Sequence, residues 1–147
     1  MTTGMAYSTD VEKAMNLARE AHRGALDKAG APYINHPERV AGRLKKPEEK
    51  VVGWLHDTVE DTDVTLARIE AEFGPETAAA VDAVSHRKGE AWADYLVRVK
   101  ANPVAKAVKI SDLIDNSNLS RFENVTAREV KRQAKYNRAL YFLTDAD

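Results

Sequence analysis

The run His56-Asp57-Thr58-Val59-Glu60-Asp61 sets one imidazole and three carboxylates within six residues. Residues three and four apart share a helix face. A helical reading therefore puts His56 beside Glu60, and Asp57 beside Glu60 and Asp61. Like charges this close repel, and burying them unpaired is costly. A divalent cation relieves both problems, because it takes imidazole nitrogen and carboxylate oxygen together. The turn reads as half of a metal site with a water-activating pair attached. The competing reading is an acidic turn that is merely solvated, and partners elsewhere in the chain must decide.

Two such partners stand out. Asp112 lies inside the apolar stretch Val108-Lys109-Ile110-Ser111-Asp112-Leu113-Ile114, where a carboxylate needs a partner, and Asn116 follows it on the same helix face. Pairing with Lys109, or capping another helix, is the alternative for Asp112. His36 closes a loop and precedes Pro37, a residue suited to the first position of a helix. His36 is then at or next to a helix N-cap, although a plain loop histidine would look the same.

The elements that must carry these residues are helical. Ser8 or Thr9 can cap a helix over about Asp10–His22, on which Val11, Ala14, Met15, Leu17, Ala18 and Ala21 recur at helical spacing. Gly24, Gly30 and Pro32 make residues 24–36 a loop, which holds Lys28, Tyr33, Asn35 and His36. Short helices follow over Pro37–Leu44 and from Pro47 into the His56 turn. Thr65 or Asp63 caps a helix through Phe73 that Gly74 stops, and Pro75 opens another to about Val84. Ser85 to Glu90 is a basic loop. Helices over Ala91–Lys100 and Pro103–Asn116 come next. Thr126 and Glu129 have the spacing of a capping box for a last helix to about Leu143. No stretch alternates as a strand does, so the expected fold is an all-α bundle of about eight helices in a single domain over 1–147.

Composition narrows the chemistry. The chain has 147 residues, 44% hydrophobic and 31% charged, which suits a globular domain with a real core. Net charge is −1, so no global basic field draws it to nucleic acid or a membrane surface, and an anionic ligand needs a local cluster of Lys and Arg. The absence of cysteine excludes disulfides, thiolate zinc sites, iron–sulfur clusters and a Cys nucleophile. With no secretory signal visible at the N-terminus and no apolar run near the ~20 residues of a membrane span, the expected location is the cytoplasm. The oligomeric state is not legible.

Four blocks, in order, carry a resemblance. They are Ala21-His22-Arg23-Gly24, then Lys28-Ala29-Gly30-Ala31-Pro32-Tyr33-Ile34-Asn35-His36-Pro37, then His56 to Thr62, then Val108 to Asp112 with Asn116 after. The chain resembles the hydrolase half of the RelA/SpoT family, and more closely the small stand-alone alarmone hydrolases, within the HD superfamily of metal-dependent phosphohydrolases. The resemblance implies an HD-domain helical bundle holding one divalent ion, usually Mn²⁺, through His36, His56, Asp57 and Asp112. Fe²⁺, Co²⁺ or Zn²⁺ would suit the same donors. It implies Glu60 and Asp61 as the pair that orients and deprotonates the attacking water, and Lys28, Lys88, Asn116, Arg132 and Tyr136 as contacts to the substrate. Tyr33 is expected to pack under the loop. The implied reaction is hydrolysis of the 3′-pyrophosphate of (p)ppGpp to GDP or GTP and pyrophosphate.

The chain departs from the family pattern at three positions. Asp27 stands where the alarmone hydrolases usually carry a basic residue, and Leu113 and Asp115 replace a basic and an aromatic or His residue. Asp27 cannot make the cation–π contact of an arginine, and it repels phosphate. These changes leave open another phosphorylated nucleotide or NADPH as substrate, or a non-catalytic nucleotide-binding regulatory module.

Overall fold

The structure, a computed structural model, describes residues 3–120 and 122–145, with side chains from residue 9 onward. Among the described residues there are eight helices of eight residues or more and one four-residue turn. They are α1 (Thr3–Ala21), α2 (Asn35–Arg43), α3 (Pro47–Leu55), α4 (Thr58–Asp61), α5 (Leu66–Phe73), α6 (Pro75–Val84), α7 (Trp92–Ala101), α8 (Pro103–Ser117) and α9 (Ala127–Thr144). The expected all-α class is borne out. The only extended pairing among these residues is an isolated bridge between Leu26 and Pro32.

Local chemistry sets most boundaries. Proline occupies the first turn of α3, α6 and α8, where its missing N–H costs nothing. Thr65 accepts from the Arg68 N–H at 3.1 Å, and Asn102 from the Ala105 N–H at 3.0 Å, so both act as N-caps. Gly74, at φ +97°, separates α5 from α6 in a backbone region that side chains disfavour.

Four boundaries differ from expectation. α1 begins at Thr3 rather than Asp10, because a Ser or Thr can sit inside a helix as well as cap one. The Ser8 side chain lies outside the described ones. α2 begins at Asn35, which places His36 in its first turn; Pro37 is tolerated there because first-turn N–H groups have no helical acceptor. The run from Val51 to Asp61 is not one helix: α3 stops at Leu55, and α4 starts at Thr58. The capping box of α9 does not close. Thr126 donates its hydroxyl to the Glu129 carboxylate instead of accepting from the backbone.

Two apolar clusters meet along α8. The larger one joins Ala14 and Ala18 of α1, Val40 of α2, Val51 and Leu55 of α3, Ile69 of α5, Val81 of α6 and Val108 of α8. The smaller one joins Tyr95 and Val99 of α7, Leu113 of α8, and Ala139 and Leu143 of α9. Each large aliphatic side chain buried this way contributes about 1.5–3 kcal/mol. Packing between α2 and α3 is close at Gly53, where an added Cβ would stand 2.9 Å from Leu44 Cδ1 and 3.1 Å from Ala41 Cα. On α8 the residues Val108, Ser111, Asp112 and Asp115 recur at three and four and are all buried. The helix thus presents a polar stripe to the interior, and Ser111 satisfies its hydroxyl by donating to the Val40 carbonyl at 2.9 Å.

Candidate metal centre and adjoining cleft

That stripe needs partners, and α2 and α3 supply them. His36 enters from the first turn of α2 with Nε2 2.9 Å from Asp112 Oδ1. His56 follows the last residue of α3 with Nε2 3.4 Å from the same oxygen. Asp57 Oδ2 stands 3.2 Å from His56 Nε2 and 3.7 Å from His36 Nε2. Consecutive side chains on an unbroken helix diverge by about 100°. The loosened turn at Asp57 (φ −100°, ψ −4°) is what lets His56 and Asp57 face one point. Thr58 bridges the break, its hydroxyl donating to the Leu55 carbonyl at 2.8 Å.

The donor set fits a divalent ion. His36, His56 and Asp112 each offer an atom, and these lie within 4.8 Å of one another. With bonds of about 2.0–2.2 Å, neighbouring ligands sit roughly 3.0 Å apart at a right angle and roughly 3.4 Å apart at a tetrahedral one. The observed separations of 2.9, 3.2 and 3.4 Å are close to that range, and the 3.7 Å from His36 to Asp57 is longer. The tautomers fit as well. His56 Nδ1 donates to the Gly53 carbonyl at 2.7 Å, which leaves Nε2 as the nitrogen that faces the centre. Nε2 itself is buried and makes no hydrogen bond, an orphaned position that a cation would fill.

The charged groups of the centre shift one another's pKa values. Burial opposes charge on His56, but the Asp57 and Asp112 carboxylates outweigh it and raise its pKa well above 6.5. Burial lowers the His36 pKa, but hydrogen bonds to Asp112 and Asp115 outweigh it and raise the value. Burial works against the Asp57 carboxylate too, yet His56 and His36 hold it at about 2. Lys109, whose Nζ is 2.8 Å from Asp112 Oδ2, helps keep Asp112 far below the usual carboxylate range despite burial. The Lys109 pairing considered for Asp112 therefore coexists with its place in the centre: one oxygen serves each.

Glu60 accepts from the His86 N–H, so it does not pair with His56 across a helix face. Burial raises the pKa of both Glu60 and Asp61, and the Asp57 charge adds to the effect. Tyr33 packs against the rings of His22 and His36, with centroids 5.0 and 5.8 Å away, and donates its hydroxyl to Asp57.

A cleft of about 360 Å³ opens beside the centre. It brings together Lys28, Asn116, Arg132 and Tyr136 with Tyr33, His36 and Arg39, the carboxylates of Asp27 and Glu129 also line it, and Leu26, Leu119 and Phe122 form its apolar part. Asn116 donates to Asp112 Oδ1 at 3.0 Å and so touches both cleft and centre. Burial depresses the Lys28 pKa, and repulsion from Arg132 and Arg128 lowers it further, a strain that an anion would relieve. Lys88 is exposed in the loop after α6 and is not part of the lining. Asp27 Oδ1 accepts from the N–H groups of Ala29 and Ala31, both at 2.9 Å, so this departure organises its own loop. Leu113 is buried in the smaller core.

Sequence reasoning missed Asp115 as part of the site. Its Oδ2 is 2.6 Å from His36 Nδ1, and Arg39 and Arg43 also reach it. The signal was present: Asp115 lies three residues after Asp112 and four after Ser111, on one face.

The helical bundle gathers two histidines and two aspartates beside a cleft that Lys28, Arg39 and Arg132 help to line. The HD domain family matches residues 14–113, and the chain belongs to that family. Its RelA/SpoT likeness is borne out by named relatives. It is 33% identical over 125 residues to a probable GTP pyrophosphokinase of Mycobacterium leprae, covering 76% of this chain and 16% of that one. It is 30% identical over 122 residues to the guanosine-3′,5′-bis(diphosphate) 3′-pyrophosphohydrolase of Aquifex aeolicus, covering 75% and 18%. The chain thus spans under a fifth of the length of these relatives. Its fold is similar to that of a metazoan ortholog of SpoT described as hydrolysing ppGpp, at a TM-score of 0.75 and 21% identity over 91% of this chain and 84% of that one. No helix among the described residues is long and apolar enough to cross a membrane.

Proposed function

We propose that this chain is a Mn²⁺-dependent hydrolase of the 3′-pyrophosphate of guanosine 3′,5′-bis(diphosphate). The observation that carries this is the buried, unbonded His56 Nε2 facing two carboxylates beside a cleft lined with cations. The named relatives supply the substrate class.

His36, His56, Asp57 and Asp112 would hold the ion. When bound, it polarises the phosphate under attack and acidifies the attacking water. Glu60 and Asp61, whose pKa values burial raises, are suited to take that proton. Lys28, Arg39 and Arg132 hold phosphate oxygens, and Tyr136 and Phe122 offer an apolar surface for the base. Water attacks the phosphorus attached to O3′, the P–O3′ bond breaks, and O3′ leaves with a proton. The products are GDP and pyrophosphate.

The test is pyrophosphate release from ppGpp by Mn²⁺-loaded protein, with Asp57→Ala as control. Absence of release, with both proteins alike, refutes the assignment. A second reading keeps the centre and changes the substrate to another phosphorylated nucleotide or NADPH. It is favoured by Asp27, which is committed to its own loop and cannot serve as a cationic contact to a base. A substrate panel in which ppGpp turns over as fast as any other compound removes it.

A further inference from the structure

Asp115 has no exposed surface, yet it is not among the groups whose donor atoms converge on the centre. Arg39 grips both of its oxygens, Nε to Oδ1 at 2.7 Å and Nη2 to Oδ2 at 3.0 Å. Arg43 Nη2 adds a contact to Oδ1 at 3.1 Å. Two guanidinium groups already satisfy a carboxylate, but Oδ2 is also spent on His36 Nδ1 at 2.6 Å. An ionised carboxylate only accepts, so Nδ1 carries the hydrogen, and Nε2 is the nitrogen that a neutral His36 would offer to an ion.

We propose that Asp115 is a positioning residue for the metal centre: it fixes the tautomer and ring orientation of His36 without touching the ion. The inference rests on the metal reading above. One turn of α8 clasps the imidazole from both ends, Asp112 Oδ1 at 2.9 Å from Nε2 and Asp115 Oδ2 at 2.6 Å from Nδ1. His56 meets the same need with a neutral acceptor, the Gly53 carbonyl. A carboxylate makes its imidazole the more electron-donating ligand, so the His36 arm responds to mutation outside the ligand set. The Arg39 fork holds Asp115 against turning inward as a rival ligand, and Arg43 serves mainly to balance its charge.

The experiment is titration of Mn²⁺ into metal-stripped wild type, Asp115→Asn, Arg43→Gln and the double variant by calorimetry, with a urea midpoint for each. Asp115→Asn is expected to weaken Mn²⁺ binding about 10–100-fold. Arg43→Gln is expected to lose stability yet bind within about threefold of wild type. The double variant removes one guanidinium along with the carboxylate's charge, so it reports the Asp115 effect even where Asp115→Asn alone fails to fold. It should match the single Asp variant in affinity. Wild-type affinity in either protein lacking the carboxylate overturns the inference. So does an Arg43→Gln loss as large as that of Asp115→Asn, because affinity would then follow fold stability. A wild type that binds no divalent ion ends the metal reading and this inference with it. A wild type that binds Mn²⁺ but leaves ppGpp intact ends only the substrate assignment.

Discussion

Replacing Lys109 with Met tests whether the centre is built around excess negative charge. Lys109 Nζ lies 2.8 Å from Asp112 Oδ2 and 5.1 and 5.5 Å from the Tyr95 and Trp92 rings. At an effective dielectric of about 20, opposite unit charges at that separation attract by about 6 kcal/mol. Desolvation offsets part of this, and removing one member of a buried pair typically costs about 3–5 kcal/mol. Methionine keeps most of the stem in place, so the loss reports mainly the charge. In metal-stripped protein, urea unfolding should therefore show the variant about 3–5 kcal/mol less stable. Saturating Mn²⁺ should then recover more stability than it adds to wild type, because the Asp57–Asp112 pair now lacks its internal cation. Stabilisation by a ligand grows as RT ln(1 + [L]/Kd), so each tenfold gain in Mn²⁺ affinity adds about 1.4 kcal/mol. A loss under about 1 kcal/mol without metal refutes the electrostatic account. An identical Mn²⁺ increment in the two proteins refutes the claim that Lys109 and the ion share Asp112.

Three further outcomes follow from the same geometry. Asp112 and Asp115 raise His36, and Asp57 and Asp112 raise His56, above 6.5 against their own burial, so the charged imidazoles stabilise the metal-free fold fully below that pH, and the contribution fades as pH rises through the raised values. Mn²⁺ must displace those protons, so calorimetry in buffers of different ionisation enthalpy should show proton release, and affinity should increase with pH; pH-independent binding contradicts this. Glu60→Gln should lower kcat about 10²–10⁴-fold with little change in KM, and remove the limb of the pH profile that rises through the raised Glu60 value; retention of that limb assigns it to another group. Gly53→Ala should destabilise by about 1–3 kcal/mol in thermal melts, since the Leu44 tip can yield at 2.9 Å but Ala41 Cα at 3.1 Å cannot, and it should weaken Mn²⁺ binding by moving α2 from α3; an unchanged melt refutes the close-packing account.

The helical class and most helix starts were legible because they are local. Pro47, Pro75, Pro103, Gly74 and Thr65 act on their own turns, and each does in the structure what its chemistry requires. The failures are also local, but of another kind. Thr126 and Glu129 have the spacing of a reciprocal cap, yet a hydroxyl facing a carboxylate can donate to it directly. The single helix expected through His56 is interrupted, because periodicity cannot show that two adjacent side chains are both needed at one point.

The same limit explains why Asp115 was read as a departure from pattern and not as part of the site. Its role depends on α2, more than seventy residues earlier, delivering His36, Arg39 and Arg43 to one face of α8. A sequence shows that Arg39 and Arg43 share a helix face, but not which carboxylate that face meets. The family pattern gives no guide where the chain has changed it: at this position the usual aromatic or His side chain could not accept from two guanidiniums and an imidazole N–H at once. The aspartate can, because it alone brings negative charge and two acceptor oxygens in so small a volume. The residue that marks this chain's divergence is thus explained by the neighbours it acquired, and Arg39 and Arg43 are intelligible only with it.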